Sequence, residues 1–254
     1  MGVLTICSGK STGVTTLSVA VAAGMPGPAP VLLVEADPAG GDLAARFNLP
    51  PAPGLASAAA AASGLDGPRF PAAHAQRLPV GVGALLCASS YRQASASVTH
   101  AASSGLLTAW GRDAVVVVDV GRLDAGSPAF PIAAASNVVL LVLRPRWDEA
   151  AHAAATVAAL REARVDNVGV VLVGDGPLSA KSIGRDLGVL VVLQTRQDRW
   201  GAKVFGGELP PGPGWRRLSL ARAGRSVAVA LHHRLCPPPA AAVGAAGWAA
   251  VTRR

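Results

Sequence analysis

The residues best suited to chemistry lie near the start of the chain. An apolar run, Val3–Cys7, leads straight into Ser8-Gly9-Lys10-Ser11-Thr12-Gly13-Val14-Thr15-Thr16 and then a second apolar stretch, Leu17–Ala23. A Gly/Ser-rich turn between a buried strand and a helix is where α/β proteins hold phosphate, because backbone N–H groups and the positive helix end converge there. Gly9-Lys10-Ser11 has the form of the G-K-[ST] end of a phosphate loop, but that pattern needs a glycine where Leu4 stands. The better register lays Gly13-Val14-Thr15-Thr16 on Gly-Lys-Thr-Thr. Thr15 is then the Mg²⁺ ligand at the helix start, and Gly9, Lys10, Ser11, Thr12, Gly13, Val14, Thr15 and Thr16 form the nucleotide cradle. Val14 stands where lysine would bring positive charge to the β- and γ-phosphates. Loss of one preorganised donor costs about 10²–10³ in rate, so binding is expected to outlast hydrolysis. The alternative is a Gly-rich turn that only links strand to helix.

Two further segments carry carboxylates. Val31–Glu35 runs into Ala36-Asp37-Pro38-Ala39-Gly40-Gly41-Asp42, and Ala114–Val118 ends in Asp119 before Val120-Gly121-Arg122. An acidic residue at the end of a central strand is what Mg²⁺ needs in its outer coordination sphere, or an attacking water for its orientation. One such residue is usually a solvated terminus or a cap; two beside a phosphate loop point to a nucleotide site. Other groupings are weaker. His232, His233 and Cys236 fit no zinc-finger spacing, and the serines between Ser89 and Ser104 lack a nucleophile elbow. Cys7, Cys87 and Cys236 are odd in number and far apart, so a cytoplasmic chain without a disulfide framework is expected.

The elements that must position these residues follow from hydrophobic runs. Val3–Cys7, Val31–Glu35, Val82–Cys87, Ala114–Asp119, Val138–Leu143, Val168–Val173 and Val189–Leu193 read as strands. Several lack alternation, as in Val115-Val116-Val117-Val118, which marks strands buried on both faces of a parallel sheet. Thr15–Ala23, Ala94–Trp110, Glu149–Arg164 and Ala180–Leu187 suit crossover helices. The expected fold is α/β, a doubly wound, mostly parallel sheet flanked by helices. Pro50–Ala62 reads as a connector and small helix, and Gly206–Gly214 as a loop. Leu220, Val227, Leu231 and Leu235 share the face of a last helix. One domain is expected over 1–236, with a Pro/Ala-rich tail over 237–254.

With 254 residues, 51% apolar and 15% charged, the chain is a folded protein rather than a disordered one. No apolar run reaches the roughly 18 residues of a membrane span. The net charge of +8 rests on arginines, with lysine only at 10, 181 and 203. They are scattered through an Ala-, Gly- and Pro-rich chain, as GC-rich codon usage would produce, so nucleic acid is not the favoured partner. The tail, with Trp248 and Arg253-Arg254, carries too little bulky apolar surface for membrane anchoring to be expected.

Together these segments resemble the MinD/ParA family of deviant-Walker P-loop ATPases, and within it the TadZ/CpaE-type proteins of pilus and secretion clusters. The resemblance runs from Val3 to Leu235. Gly13-Val14-Thr15-Thr16 resembles a degraded Walker A, Glu35-Ala36-Asp37-Pro38-Ala39-Gly40 the switch I segment with Glu35 where Asp is usual, and Val115–Asp119 the Walker B strand. Asn137–Val142 with Arg144-Pro145 is similar to the next strand, and Gln194–Asp198 to the segment along the adenine. The resemblance implies ATP/ADP and Mg²⁺ as ligands, Asp37 and Lys10 as catalytic residues, Asp198 near the base, and Asp119 in the outer sphere of Mg²⁺. Lys10 meets the family's signature lysine position only if the loop is one residue short. It further implies a homodimer and a positioning or assembly role, with a pilus or secretion ATPase as partner. A non-catalytic dimeric scaffold and a ParA-like DNA-associated partitioning ATPase are the other readings.

Overall fold

The computed structural model describes residues 1–10, 12–62 and 70–236. Its centre is an eight-stranded sheet in the order β3-β4-β2-β5-β1-β6-β7-β8. The strands are β1 (Val3–Ser8), β2 (Val31–Glu35), β3 (Gln76–Arg77), β4 (Gly83–Leu85), β5 (Val115–Arg122), β6 (Val138–Leu143), β7 (Val168–Val173) and β8 (Leu190–Thr195). Every pairing is parallel except that of the edge strand β3 with β4. β1 lies between β5 and β6, with Leu4 opposite both Val117 and Val138. Leu4, Ile6, Val115–Val118 and Val138–Leu141 are all but fully excluded from water, as unalternating apolar runs require.

The helices are α1 (Val14–Gly24), α2 (Leu43–Arg46), α3 (Leu55–Ala62), α4 (Tyr91–Ser103), α5 (Leu106–Trp110), α6 (Phe130–Ala134), α7 (Trp147–Glu162), α8 (Ala180–Leu187), α9 (Arg199–Phe205) and α10 (Ser219–Leu235). They cover both faces of the sheet over two apolar clusters. One is built around Trp110, Val116 and Leu160; the other joins Leu17 and Val21 of α1 to Val227 and Leu231 of α10. Among the described residues no helix is long and apolar enough to cross a membrane.

Several expectations change in detail. The single helix expected over Ala94–Trp110 is two, α4 and α5, because Gly105 at φ 66° caps the second in a left-handed conformation. β5 runs past Asp119 to Arg122, β4 is shorter than Val82–Cys87, and α7 starts at Trp147 rather than Glu149. α2, β3 and α9 are too short to leave a periodic trace. Gly206–Gly214 is irregular, as expected. The tail over 237–254 and Ser11 lie outside the described residues.

Candidate functional site

The ends of β1, β2 and β5 and the start of α1 converge at the carboxyl edge of the sheet, where ligands sit in open α/β folds. Gly13 caps α1 with φ 63°, and the space where its Cβ would stand has no atom within 4 Å. Glycine is therefore demanded by the backbone, and the open volume beside it belongs to the cleft. A cleft of about 170 Å³ is lined by Gly13–Thr16, Asp37, Asp42, Arg46, Gly121 and Arg122. A second, of about 490 Å³, shares Gly13 and Thr16 with it and extends to Arg144, Asp175 and the Thr195–Asp198 segment. The two clefts adjoin at Gly13 and Thr16 by the helix start, the smaller lined by expected phosphate residues and the larger reaching the expected base segment.

Three carboxylates gather beside the smaller cleft. Glu35 and Asp119 face each other as backbone partners on β2 and β5. Asp119 is 1% exposed; one oxygen accepts the Gly121 amide at 3.0 Å, and Oδ2 is buried with no hydrogen-bond partner. Burial pushes its pKa up to about 7, opposed by the Thr15 hydroxyl and the Gly121 amide and helped by the charges of Glu35 and Asp37. Asp37 is half-buried and accepts the Ala39 amide at 2.8 Å; burial raises its pKa as well. Its carboxylate packs directly on Gly121, whose φ of 59° and missing Cβ leave it room. Like charges gathered in a desolvated spot, with an orphaned oxygen among them, mark this end of the sheet as a candidate functional site.

Glu35 has a different task. Its carboxylate accepts the amides of Asp42 (2.7 Å), Leu43 (2.9 Å) and Cys87 (2.9 Å), fixing the turn that carries Asp37. Val14, the first residue of α1, is 4% exposed and packs in the α1–α10 cluster. It brings no charge to the cleft. Lys10 pairs with Asp148 at 2.6 Å and holds that carboxylate below its usual range. Asp198 caps α9 by accepting the Gly201 amide at 2.9 Å, while its other oxygen accepts the Leu220 amide at 2.8 Å. Both oxygens thus fix backbone at the wall of the larger cleft.

Sequence reasoning missed Glu149. This buried residue in the first turn of α7 accepts the Thr12 hydroxyl at 2.7 Å and the Arg144 amide at 2.7 Å, tying the loop between β1 and α1 to the end of β6. An acid in a first helical turn ordinarily reads as a dipole partner, so nothing local announced the contact. Glu149→Ala strands a buried hydroxyl and an amide, and is expected to destabilise the protein by about 2–3 kcal/mol. Urea melts check this, with Glu149→Gln retaining most of the stability.

The cysteines add no reactive group to this site, although Cys87 touches it through its amide on Glu35 and its Sγ 4.0 Å from the Asp37 carbonyl. Cys7 and Cys87 are buried thiols; burial raises both pKa values, that of Cys87 to about 12, so neither offers a thiolate. Among the described residues no group of three or more His, Cys, Asp and Glu could hold a metal unaided. A cation beside Thr15 and Asp119 would need further oxygens, such as those of phosphates.

No protein-family model matches the chain, and no curated protein matches it in sequence. Solved structures do match. A ParA family ATPase from Chlorobium tepidum superposes with a TM-score of 0.70 at 15% identity, covering 91% of this chain and 98% of that one. The cell division ATPase MinD of Pyrococcus furiosus gives 0.69 at 18%, covering 91% and 99%. The septum site-determining protein MinD of Pyrococcus horikoshii, complexed with Mg-ADP, gives 0.64 at 16%, covering 89% and 94%. At such identities the likeness establishes the fold: the chain has the MinD/ParA P-loop NTPase architecture.

Proposed function

We propose that the protein binds ATP or ADP with Mg²⁺ at the cleft around Gly13–Thr16 and serves as a positioning or assembly factor with weak or absent ATP hydrolysis. The observation that carries this reading is Asp119, a buried carboxylate with an orphaned oxygen beside Thr15 at the positive end of α1. The residues present fit the ligands. Thr15 would hold Mg²⁺ directly, Asp119 from its outer sphere, and the amides of Gly9–Thr16 would hold the phosphates. The metal would supply charge neutralisation on the phosphate oxygens. Asp37, half-buried at the same cleft with a raised pKa, would orient a water. The Mg-ADP of the Pyrococcus horikoshii relative supports the choice of ligand.

A non-catalytic dimeric scaffold is the second reading, and the burial of Val14 favours it. Without a loop lysine the γ-phosphate lacks its usual point charge, and binding can persist where turnover fails. The rim that would face a partner carries Lys10, Asp148 and the 71% exposed Trp147. Aromatic residues at such rims are favoured anchors for protein partners. A homodimer contact there, and a pilus or secretion ATPase as the docked machine, are the proposed partners.

Titration with ATP and ADP, each with and without Mg²⁺, tests the reading. Binding that strengthens with Mg²⁺ and turnover at background are expected, with Val14→Lys raising turnover. Failure to bind either nucleotide overturns the nucleotide reading. Robust wild-type turnover abolished by Asp37→Ala overturns weak hydrolysis and the scaffold alternative together.

A further inference from the structure

The positive charge missing at Val14 has to come from elsewhere if a triphosphate is to sit in the smaller cleft. Most cations around the two clefts are already engaged. Lys10 is paired with Asp148 at 2.6 Å, and Arg46 with Asp42 at 2.7 Å. Arg144 and Arg146 lean on Glu149 and Asp148 at 3.9 and 3.8 Å. Arg196 lines only the larger cleft. Arg122 is different: it is exposed, it lines the smaller cleft, and it has no hydrogen-bond or ion-pair partner among the described residues.

Its placement is set by backbone, not by chance rotamers. β5 remains paired with β1 as far as Arg122, which stands opposite Ser8, and the next amide, of Leu123, donates to the Ser8 carbonyl at 2.9 Å. Parallel neighbours lie about 4.8 Å apart, so Arg122 springs from the strand position beside the first residue of the phosphate loop. The left-handed turn at Gly121 that precedes it is packed against Asp37. Arg122 therefore follows directly on the glycine against which Asp37 packs, and lines the smaller cleft rather than the larger one that reaches the base segment.

We propose that Arg122 supplies, from the end of β5, the terminal-phosphate charge that Val14 cannot, and so sets a preference for nucleoside triphosphate over diphosphate. A guanidinium suits this task, since its planar fork donates two hydrogen bonds to phosphate oxygens. Its reach from a neighbouring strand replaces a lysine that would rise from the loop itself. The inference rests on the nucleotide reading above.

The test measures ATP and ADP affinity, with Mg²⁺, for the full chain and its variants by calorimetry. Wild type should prefer ATP. Arg122→Ala should lose about tenfold or more in ATP affinity, the effect of one charge-assisted hydrogen bond, with little change for ADP. Arg122→Lys should keep part of the preference. The decisive arm is Val14→Lys placed on Arg122→Ala, which should restore the preference for ATP. Melting of the ligand-free Arg122→Ala variant should match wild type, because the exposed side chain makes no hydrogen bond or ion pair among the described residues. If wild type binds ATP and Arg122→Ala leaves the ATP:ADP ratio unaltered, the inference falls while the nucleotide reading stands. It also falls if Val14→Lys fails to restore the ratio. Absence of binding in wild type overturns the underlying reading instead.

Discussion

Asp119→Asn is expected to make the ligand-free protein more stable above pH 7 and, in the same variant, to abolish Mg²⁺-dependent nucleotide binding. The first half follows from linkage. Burial lifts the folded-state pKa of Asp119 from 3.8 to about 7, so the native state holds its proton more tightly than the unfolded chain. Unfolding free energy therefore falls as pH rises from about 4 to about 7, and the cost of the buried charge is fully present above that window. Each unit is worth about 1.4 kcal/mol, which sets a ceiling of about 4 kcal/mol. Asparagine recovers only part of it, about 2 kcal/mol, because a buried amide also wants partners. Urea midpoints from pH 5.5 to 8.5 should decline for wild type and stay flatter for the variant. The second half follows from what the charge is for. Mg²⁺ with nucleotide should raise the wild-type midpoint by mass action and leave that of Asp119→Asn unmoved. A variant less stable than wild type at pH 8, with the same pH slope, would refute the assignment of Asp119 as a charge waiting for a cation.

How far such a site can be read from a sequence depends on whether its contacts are local. Val115–Val118 has no polar alternation and could only be a two-face-buried strand, so Asp119 at its end was legible as a strand-end acid. The turn from β1 into α1 was legible for the same reason, its glycines lying between two apolar runs. Long-range ties leave no such trace. Glu149 meets Thr12 across 137 positions, and Glu35 reaches Cys87 across 52. Both residues look locally like ordinary acids near an element end. The helix over Ala94–Trp110 was misjudged because Ala, Ser and Thr continue through Gly105 without a change of pattern, whereas the break is made by one backbone torsion. Arg122 was legible from the sequence only as a rim residue after a strand, expected with Lys10 near the partner of a homodimer. Its meaning depends on β5 staying paired with β1 for three residues beyond the acid.

Glu35→Ala is expected to be the most destabilising single change at this end of the sheet, and to lose ligand binding for a reason unlike that of Asp119→Asn. Glu35 is 1% exposed, and its two oxygens serve the amides of Asp42, Leu43 and Cys87. One carboxylate thus joins the end of β2 to the start of α2 and to the segment leaving β4. Alanine strands these amides in a dry site, each at about 1–3 kcal/mol, so a loss of about 4 kcal/mol or more is expected. Losses of that size are exceptional for one substitution. Glu35→Gln should cost less, about 1–2 kcal/mol, because its remaining carbonyl oxygen can still accept from Asp42 and Leu43 while its NH₂ opposes the Cys87 amide. Burial also raises the Glu35 pKa, against the pull of those three amides. Protonation at low pH therefore relieves a buried charge, and acid lability of the wild type should not be traced to this residue. Asp37 follows two positions later on the turn that Glu35 holds, so its placement beside Gly121 should be lost in the alanine variant even where the sheet survives. Hydrogen exchange separates the causes. In Glu35→Ala the Asp42, Leu43 and Cys87 amides should exchange far faster than in wild type, whereas in Asp119→Asn they should remain protected although nucleotide no longer binds. Unaltered exchange and an unaltered urea midpoint in Glu35→Ala would show that the turn is held by other contacts.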